Sequence, residues 1–140
     1  MRKLRAEIER FRNSGIPMRR PNSMNRYGLI INESIGLHNM MKTFVAKFVG
    51  PLAQMLFPAS VGPTDCATFH AFTVRYMHGE DTALSLHYDT SIATLNVNLN
   101  NPEDQFEGSQ LYFYENGKPY KSPKHYVSFE AGKALLHLGD

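Results

Sequence analysis

The sequence predicts an α+β domain, with helices first and a run of antiparallel strands after them. Three observations carry this. Before residue 57, apolar residues recur at three- and four-residue steps, the spacing of one helix face. After about residue 68 they alternate with polar residues, the period of a half-buried strand. The alternating segments are short and separated by turn-forming residues, the pattern of a sandwich or barrel.

Leu4, Ile8 and Phe11 fall at i, i+4 and i+7 with charged residues between them, which makes an amphipathic helix. Asn13-Ser14-Gly15-Ile16-Pro17 ends it, since Gly15 tolerates positive φ and Pro17 cannot continue a helix. Met18 to Gly28 is polar, carries Pro21, Asn22, Ser23 and Asn25, and reads as an ordered loop. Met41, Phe44, Val45, Phe48, Leu52, Met55 and Leu56 form a second helical stripe, with a break or restart at Gly50-Pro51. This Met-rich stripe is expected to be core, packed on the sheet that follows. Pro58 to Pro63 is a loop. Strands are expected over about 69–76, 84–89, 94–99, 111–114, 126–129 and 134–138. Turns separate them at His78-Gly79-Glu80-Asp81, Asn100 to Asp104, Glu115 to Pro119 and Glu130-Ala131-Gly132.

At 140 residues, with 42% hydrophobic and 20% charged, the chain suits a globular fold. One cysteine, Cys66, rules out an internal disulfide framework and a cysteine-built zinc site. It also fits a reducing setting, so an intracellular location, cytoplasmic or nuclear, is expected. No apolar run approaches the ~20 residues of a membrane helix. The opening Met1-Arg2-Lys3-Leu4-Arg5 lacks the apolar stretch of a secretory signal. Charge is uneven: residues 1–26 hold eight Lys/Arg against two acids, net +6, and the rest hold seven against eleven, net −4. The basic segment has no interleaved aromatic residues for stacking on bases. A solvated helix face is the preferred reading, and no nucleic-acid partner is expected.

His87-Tyr88-Asp89 carries the chemistry. On a strand, residues i and i+2 share a face, so an imidazole and a carboxylate two positions apart can reach one metal ion. With a second His, that is the ligand set of non-haem Fe(II) oxygenases. Taken alone the spacing is weak, and a surface His and Asp at a strand end is the bland alternative. Thr94, Asn96 and Asn98 place polar groups at successive same-face positions, able to line an anion cavity or simply to face solvent.

The combination is more specific. Phe72-Thr73-Val74-Arg75-Tyr76, Gly79-Glu80-Asp81, Leu86-His87-Tyr88-Asp89, Thr94 to Asn100, Phe106-Glu107-Gly108, Leu111-Tyr112-Phe113 and Gly132 to Gly139 together resemble the catalytic domain of the prolyl 4-hydroxylase-like 2-oxoglutarate/Fe(II) dioxygenases. One branch of that family is matched more narrowly, and there the resemblance takes in Arg20 to Gly28. It implies a double-stranded β-helix (jelly roll, cupin-like) over 67–140, preceded by packing helices over 1–66. It implies His87 and Asp89 as iron ligands, and Tyr76, Thr94 and Asn98 lining the 2-oxoglutarate pocket. Fe(II), 2-oxoglutarate and dioxygen are the implied cofactor and cosubstrates, with ascorbate keeping the iron reduced. A primary substrate of unknown identity would be hydroxylated as 2-oxoglutarate is decarboxylated to succinate.

Two departures matter. The family's distal histidine and its 2-oxoglutarate arginine lie beyond the stretch that matches Ala134 to Gly139, and the sequence stops at Asp140. The β-helix is therefore expected to be C-terminally incomplete and the chain inactive as it stands. His137 is the last histidine, but the resemblance places it before the ligand, so it is left out of the metal set. Ser109 replaces the second of two family glycines, which implies a local change of backbone. The competing reading is a non-catalytic jelly-roll module that binds a peptide or partner protein.

Overall fold

The computed structural model describes residues 2–34, 36–114 and 125–139. The expected turn at Glu115 to Pro119 lies outside the described residues. Two compact units are present: residues 3–88 form one, and residues 89–140 with the first two residues form the other.

The first unit begins with helix α1 (Arg2–Arg12), whose Ile8 is buried. Glu7 and Arg10, and Glu9 and Arg12, pair along its exposed side. The helix stops as expected. Ser14 donates its hydroxyl back to the Phe11 carbonyl, and Gly15 turns the chain out at φ 75°.

A short strand, β1 (Gly28–Ile30), follows the Pro21 loop and leads into the single turn α2 (Ile31–Ser34). The sequence gives no hint of β1, because three residues are too few to display a period. It pairs antiparallel with β2 (Phe72–Val74) through Gly28↔Val74, Leu29↔Thr73 and Ile30↔Phe72. Leu29, Ile30 and Ile31 are buried with Ile8, Ala53 and Val61, and among the described residues these six are the buried apolar core.

The second helical stripe runs unbroken from residue 38 to 56. It comprises α3 (His38–Phe44), a π-helical turn (Val45–Val49) and α4 (Gly50–Leu56). The expected break at Gly50-Pro51 is absorbed instead. Pro51 has no N–H to give to the turn before it, and the Gly50 N–H bonds the Val45 carbonyl five residues back. The helix buries its narrow side, Gly50 and Ala53. Its large residues do not form the expected core: Phe44, Phe48, Leu52, Met55 and Leu56 are 38–68% exposed. The physical reason is side-chain size. The buried line is the one whose small residues allow close approach, with Cys66 of a short 3-10 turn (Asp65–Ala67) lying against Gly50.

Among the described residues, the second unit contains two antiparallel pairs. Strand β3 (Ala93–Val97) pairs with β6 (Ala134–Leu138), with Thr94 opposite His137 and Asn96 opposite Leu135. Strand β4 (Leu111–Phe113) pairs with β5 (His125–Val127), and Tyr112 meets Tyr126 edge to face. The fold is thus mixed helix and sheet, with small antiparallel sheets.

Ser109 stands where the resemblance implied a local change of backbone. It takes the left-handed conformation itself, φ 67°, next to Gly108 at φ 86°. Its hydroxyl donates to the Phe129 carbonyl at 3.0 Å.

Candidate functional site

Tyr76 stands two residues past β2, half exposed. The residues on either side of it are tied by backbone bonds. Arg75 N–H reaches the Tyr27 carbonyl at 2.9 Å, and Met77 N–H reaches the Asp81 carbonyl at 3.0 Å. Burial pushes the Tyr76 phenol above its ordinary pKa, while the Asn25 side chain pulls it down and the Asp81 charge adds to the rise. Arg75 and Glu80 form an ion pair across the same turn.

The alternating segment 84–89 does not form the expected strand. Strand β2 ends at Val74 and β3 begins at Ala93, with no ladder between them. Strict alternation is necessary for a half-buried strand but does not supply the hydrogen-bonding partner. His87 instead closes a local loop, with its Nδ1 2.8 Å from the Ser85 carbonyl. Such side-chain-to-backbone bonds compete with ladders. Nδ1 carries the hydrogen in that contact, because the carbonyl can only accept. A second-nitrogen tether to a carbonyl is what metal-ligating histidines use to fix ring and tautomer. His87 is exposed and belongs to the first compact unit; Asp89 is half-buried and opens the second.

In the second unit, Asp89 is held against the end of β6 through its N–H, 2.9 Å from the Gly139 carbonyl. Gly139 is needed there, because a Cβ would sit 1.8 Å from the Ser91 carbonyl oxygen and 2.8 Å from that of Asp89. His137 Nε2 lies 3.9 Å from Asp89 Oδ2 and accepts from Asn96 Nδ2 at 3.0 Å. Its Nδ1 bonds the Leu138 carbonyl at 2.6 Å. Thr94 shares the face of His137 and exchanges a hydroxyl hydrogen bond with Ser91 at 2.6 Å. Asn98 is buried, donating to the Phe129 carbonyl at 2.5 Å and accepting from Asn100 N–H at 3.0 Å.

Thr94, Asn96 and His137 are therefore neighbours on the β3–β6 ladder, and His137 lies beside Asp89. Asn98 spends its amide on backbone groups. Among the described residues, no three His, Cys, Asp or Glu side chains gather as a metal-holding group. The two expected ligands still fit Fe(II) in donor chemistry: one imidazole with a tethered second nitrogen, one carboxylate. The elements that sequence reasoning missed are Asn25 and Asp81, whose contacts run to backbone and to residues far away in the chain. Asp81 stands in the quoted Gly79-Glu80-Asp81 motif, but nothing in its spacing shows what it holds.

The family model of the OGFOD2-like domain matches residues 1–62. Over 140 aligned residues, 98% of this chain, it is 36% identical to the Xenopus tropicalis protein "2-oxoglutarate and iron-dependent oxygenase domain-containing protein 2". It is 33% identical over 97% of its length to the Arabidopsis thaliana "2-oxoglutarate and iron-dependent oxygenase domain-containing protein ICU11". A human "Multifunctional procollagen lysine hydroxylase and glycosyltransferase LH3" is 32% identical over 76% of the chain. The chain spans 39%, 36% and 13% of those three proteins. No solved structure matches it.

Proposed function

We propose that the chain is part of an Fe(II)- and 2-oxoglutarate-dependent dioxygenase of the hydroxylase type, a reading supported by the match of residues 1–62 to the OGFOD2-like family model and by the 36% identity to a 2-oxoglutarate and iron-dependent oxygenase domain-containing protein. Its β-rich part belongs to a double-stranded β-helix, and its setting is intracellular. His87 and Asp89 hold the iron. Bound iron, with 2-oxoglutarate and dioxygen, supplies the oxidation: the keto acid loses CO2 to give succinate, and a second substrate gains a hydroxyl group. Ascorbate serves as the reductant that keeps the metal ferrous.

The chain's own residues bind and orient. His87 has its ring fixed through Nδ1, which is bonded to the Ser85 carbonyl. Asp89 brings a carboxylate 3.9 Å from His137 Nε2. Tyr76 and Thr94 provide hydroxyl donors for the cosubstrate carboxylates, and Asn98, its amide already engaged, shapes the pocket wall. The observation that carries the reading is the tethered His87 in a His-Tyr-Asp sequence, within a chain similar along nearly all of its length to oxygenase-named proteins.

Manganese(II), redox-silent in this assay, tests the ligands directly. Titrated into the protein and followed by electron paramagnetic resonance of the unbound ion, it is expected to bind about tenfold or more weakly to His87→Ala and Asp89→Ala. Succinate formation with Fe(II), ascorbate and dioxygen should fall in the same variants. Equal manganese binding by all three proteins would sink the ligand assignment. A jelly-roll module that binds a peptide or protein without chemistry would then be the reading that remains.

A further inference from the structure

The loop before β1 is stitched to the turn after β2 by one carboxylate. Asp81 Oδ2 accepts the backbone N–H of Arg26 at 2.7 Å and of Tyr27 at 3.0 Å, partners 55 and 54 residues away in sequence. The Tyr27 carbonyl then takes the Arg75 N–H, and the Asp81 carbonyl takes the Met77 N–H. Tyr76 sits between those two bonds. Asn25 completes the arrangement. It is 1% exposed, its Oδ1 accepts from Asn22 Nδ2 at 3.1 Å, and its side chain lies near enough to the Tyr76 phenol and the Asp81 carboxylate to favour the charged form of each. A buried carboxamide must place both its hydrogens. Here two acceptors, a phenol oxygen and a carboxylate, stand beside it.

We infer that Asp81 and Asn25 are positioning residues for Tyr76, clasping the Asn25–Tyr27 loop against the 77–81 turn so that the phenol hydroxyl is presented to a cosubstrate carboxylate. The inference rests on the reading of Tyr76 as a cosubstrate-pocket residue. An amide N–H given to the phenol oxygen turns the phenol's own hydrogen outward, the polarity that a carboxylate ligand requires. Part of the OGFOD2-like region thereby becomes part of the cosubstrate site. Asp81 and Asn25 touch no substrate themselves.

The test separates positioning from mere fold support. 2-Oxoglutarate is titrated into the manganese-loaded full chain of wild type, Tyr76→Phe, Asp81→Asn and the double variant. Loss of the phenol hydrogen bond to a charged group should weaken binding about tenfold in Tyr76→Phe. Asp81→Asn should weaken it as well, but add nothing in the Tyr76→Phe background. A second readout needs no metal or cosubstrate. In protein labelled with 13Cζ-tyrosine, the Tyr76 resonance, identified by its loss in Tyr76→Phe, should shift in Asp81→Asn and in Asn25→Asp. Equal losses from Asp81→Asn in both backgrounds, or an unmoved Tyr76 resonance, would overturn the inference. If wild type binds no 2-oxoglutarate, the cosubstrate role of Tyr76 falls, and the resonance alone then decides whether the clasp exists. Should Asp81→Asn fail to fold, Asn25→Asp, which keeps the side-chain shape, carries both measurements.

Discussion

Two backbone N–H groups converge on Asp81, and that convergence sets its acid response. The Tyr27 N–H holds its carboxyl below the usual range, helped by the Arg26 N–H, Asn25 and the Arg20 charge, against a smaller opposing push from burial. A carboxyl whose folded pKa is depressed contributes stability that is complete above the unfolded value of about 4. That contribution is lost as pH falls through the lower folded value. Asp81→Asn is therefore expected to be less stable than wild type at pH about 7, with the gap closing below pH about 4. Urea midpoints across that range check it; a gap of constant size would deny the carboxylate this role. The chemistry types of His87, Asp89, Tyr76 and Thr94 were legible in the sequence, because side-chain chemistry is written there. The clasp was not. Its partners are main-chain N–H groups, which every residue but proline carries and which no motif can mark. Ser109 is a further case: nothing in the sequence shows that this serine takes φ 67°, a conformation rare for residues with a Cβ, with its hydroxyl bonded to the Phe129 carbonyl.

At the scale of elements, period alone told helix from strand well but could not say which strands find partners. The segments at 93–97, 111–113 and 134–138 formed close to where alternation put them. The equally regular 84–89 did not, because no neighbouring ladder reaches it. The unforeseen β1 exists for the opposite reason: its pairing with β2 outweighs its lack of pattern. Gly28 is the weak point of that pair. At φ 147°, a Cβ there would sit 1.9 Å from the Thr73 carbonyl oxygen and 2.9 Å from its carbon. Neither atom is the free end of a flexible side chain, so the strands must part. Gly28→Ala is expected to cost about 3 kcal/mol, at the upper end for overpacking. It should also remove the hydrogen-exchange protection of the Ile31 N–H, which bonds the Ala71 carbonyl at 2.9 Å. Native-like protection of that amide in a stable Gly28→Ala protein would show that the strands can accommodate the methyl group.

For the molecule as a whole, the distribution of apolar surface is the feature that composition concealed. A chain that is 42% hydrophobic can fill a core, yet the long helix from 38 to 56 gives the buried apolar set of the described residues only Ala53. The long helix from 38 to 56 turns Phe48, Leu52 and Met55 outward at 56%, 47% and 68% exposure, while Ala53 between them is fully buried. Contiguous exposed apolar side chains on one helix face mark either an interaction surface or an aggregation liability. The same helix carries Lys42 and Lys47 and no acid, so it adds local positive charge to a chain whose basic residues already gather at the start. Because burial and not hydrophobicity sets the cost of a substitution, neighbours on this helix should behave oppositely. Phe48→Gln is expected to change stability by no more than about 0.5 kcal/mol, as surface changes do. It should lower the binding of an apolar fluorescent dye and the light scattering of concentrated solutions. Ala53→Leu, one turn away and nominally conservative, should cost about 1–3 kcal/mol by overpacking. Urea unfolding of the two variants side by side decides it. If Phe48→Gln proves the more damaging, that ring is covered in solution, and the stripe is an interior surface of the folded protein.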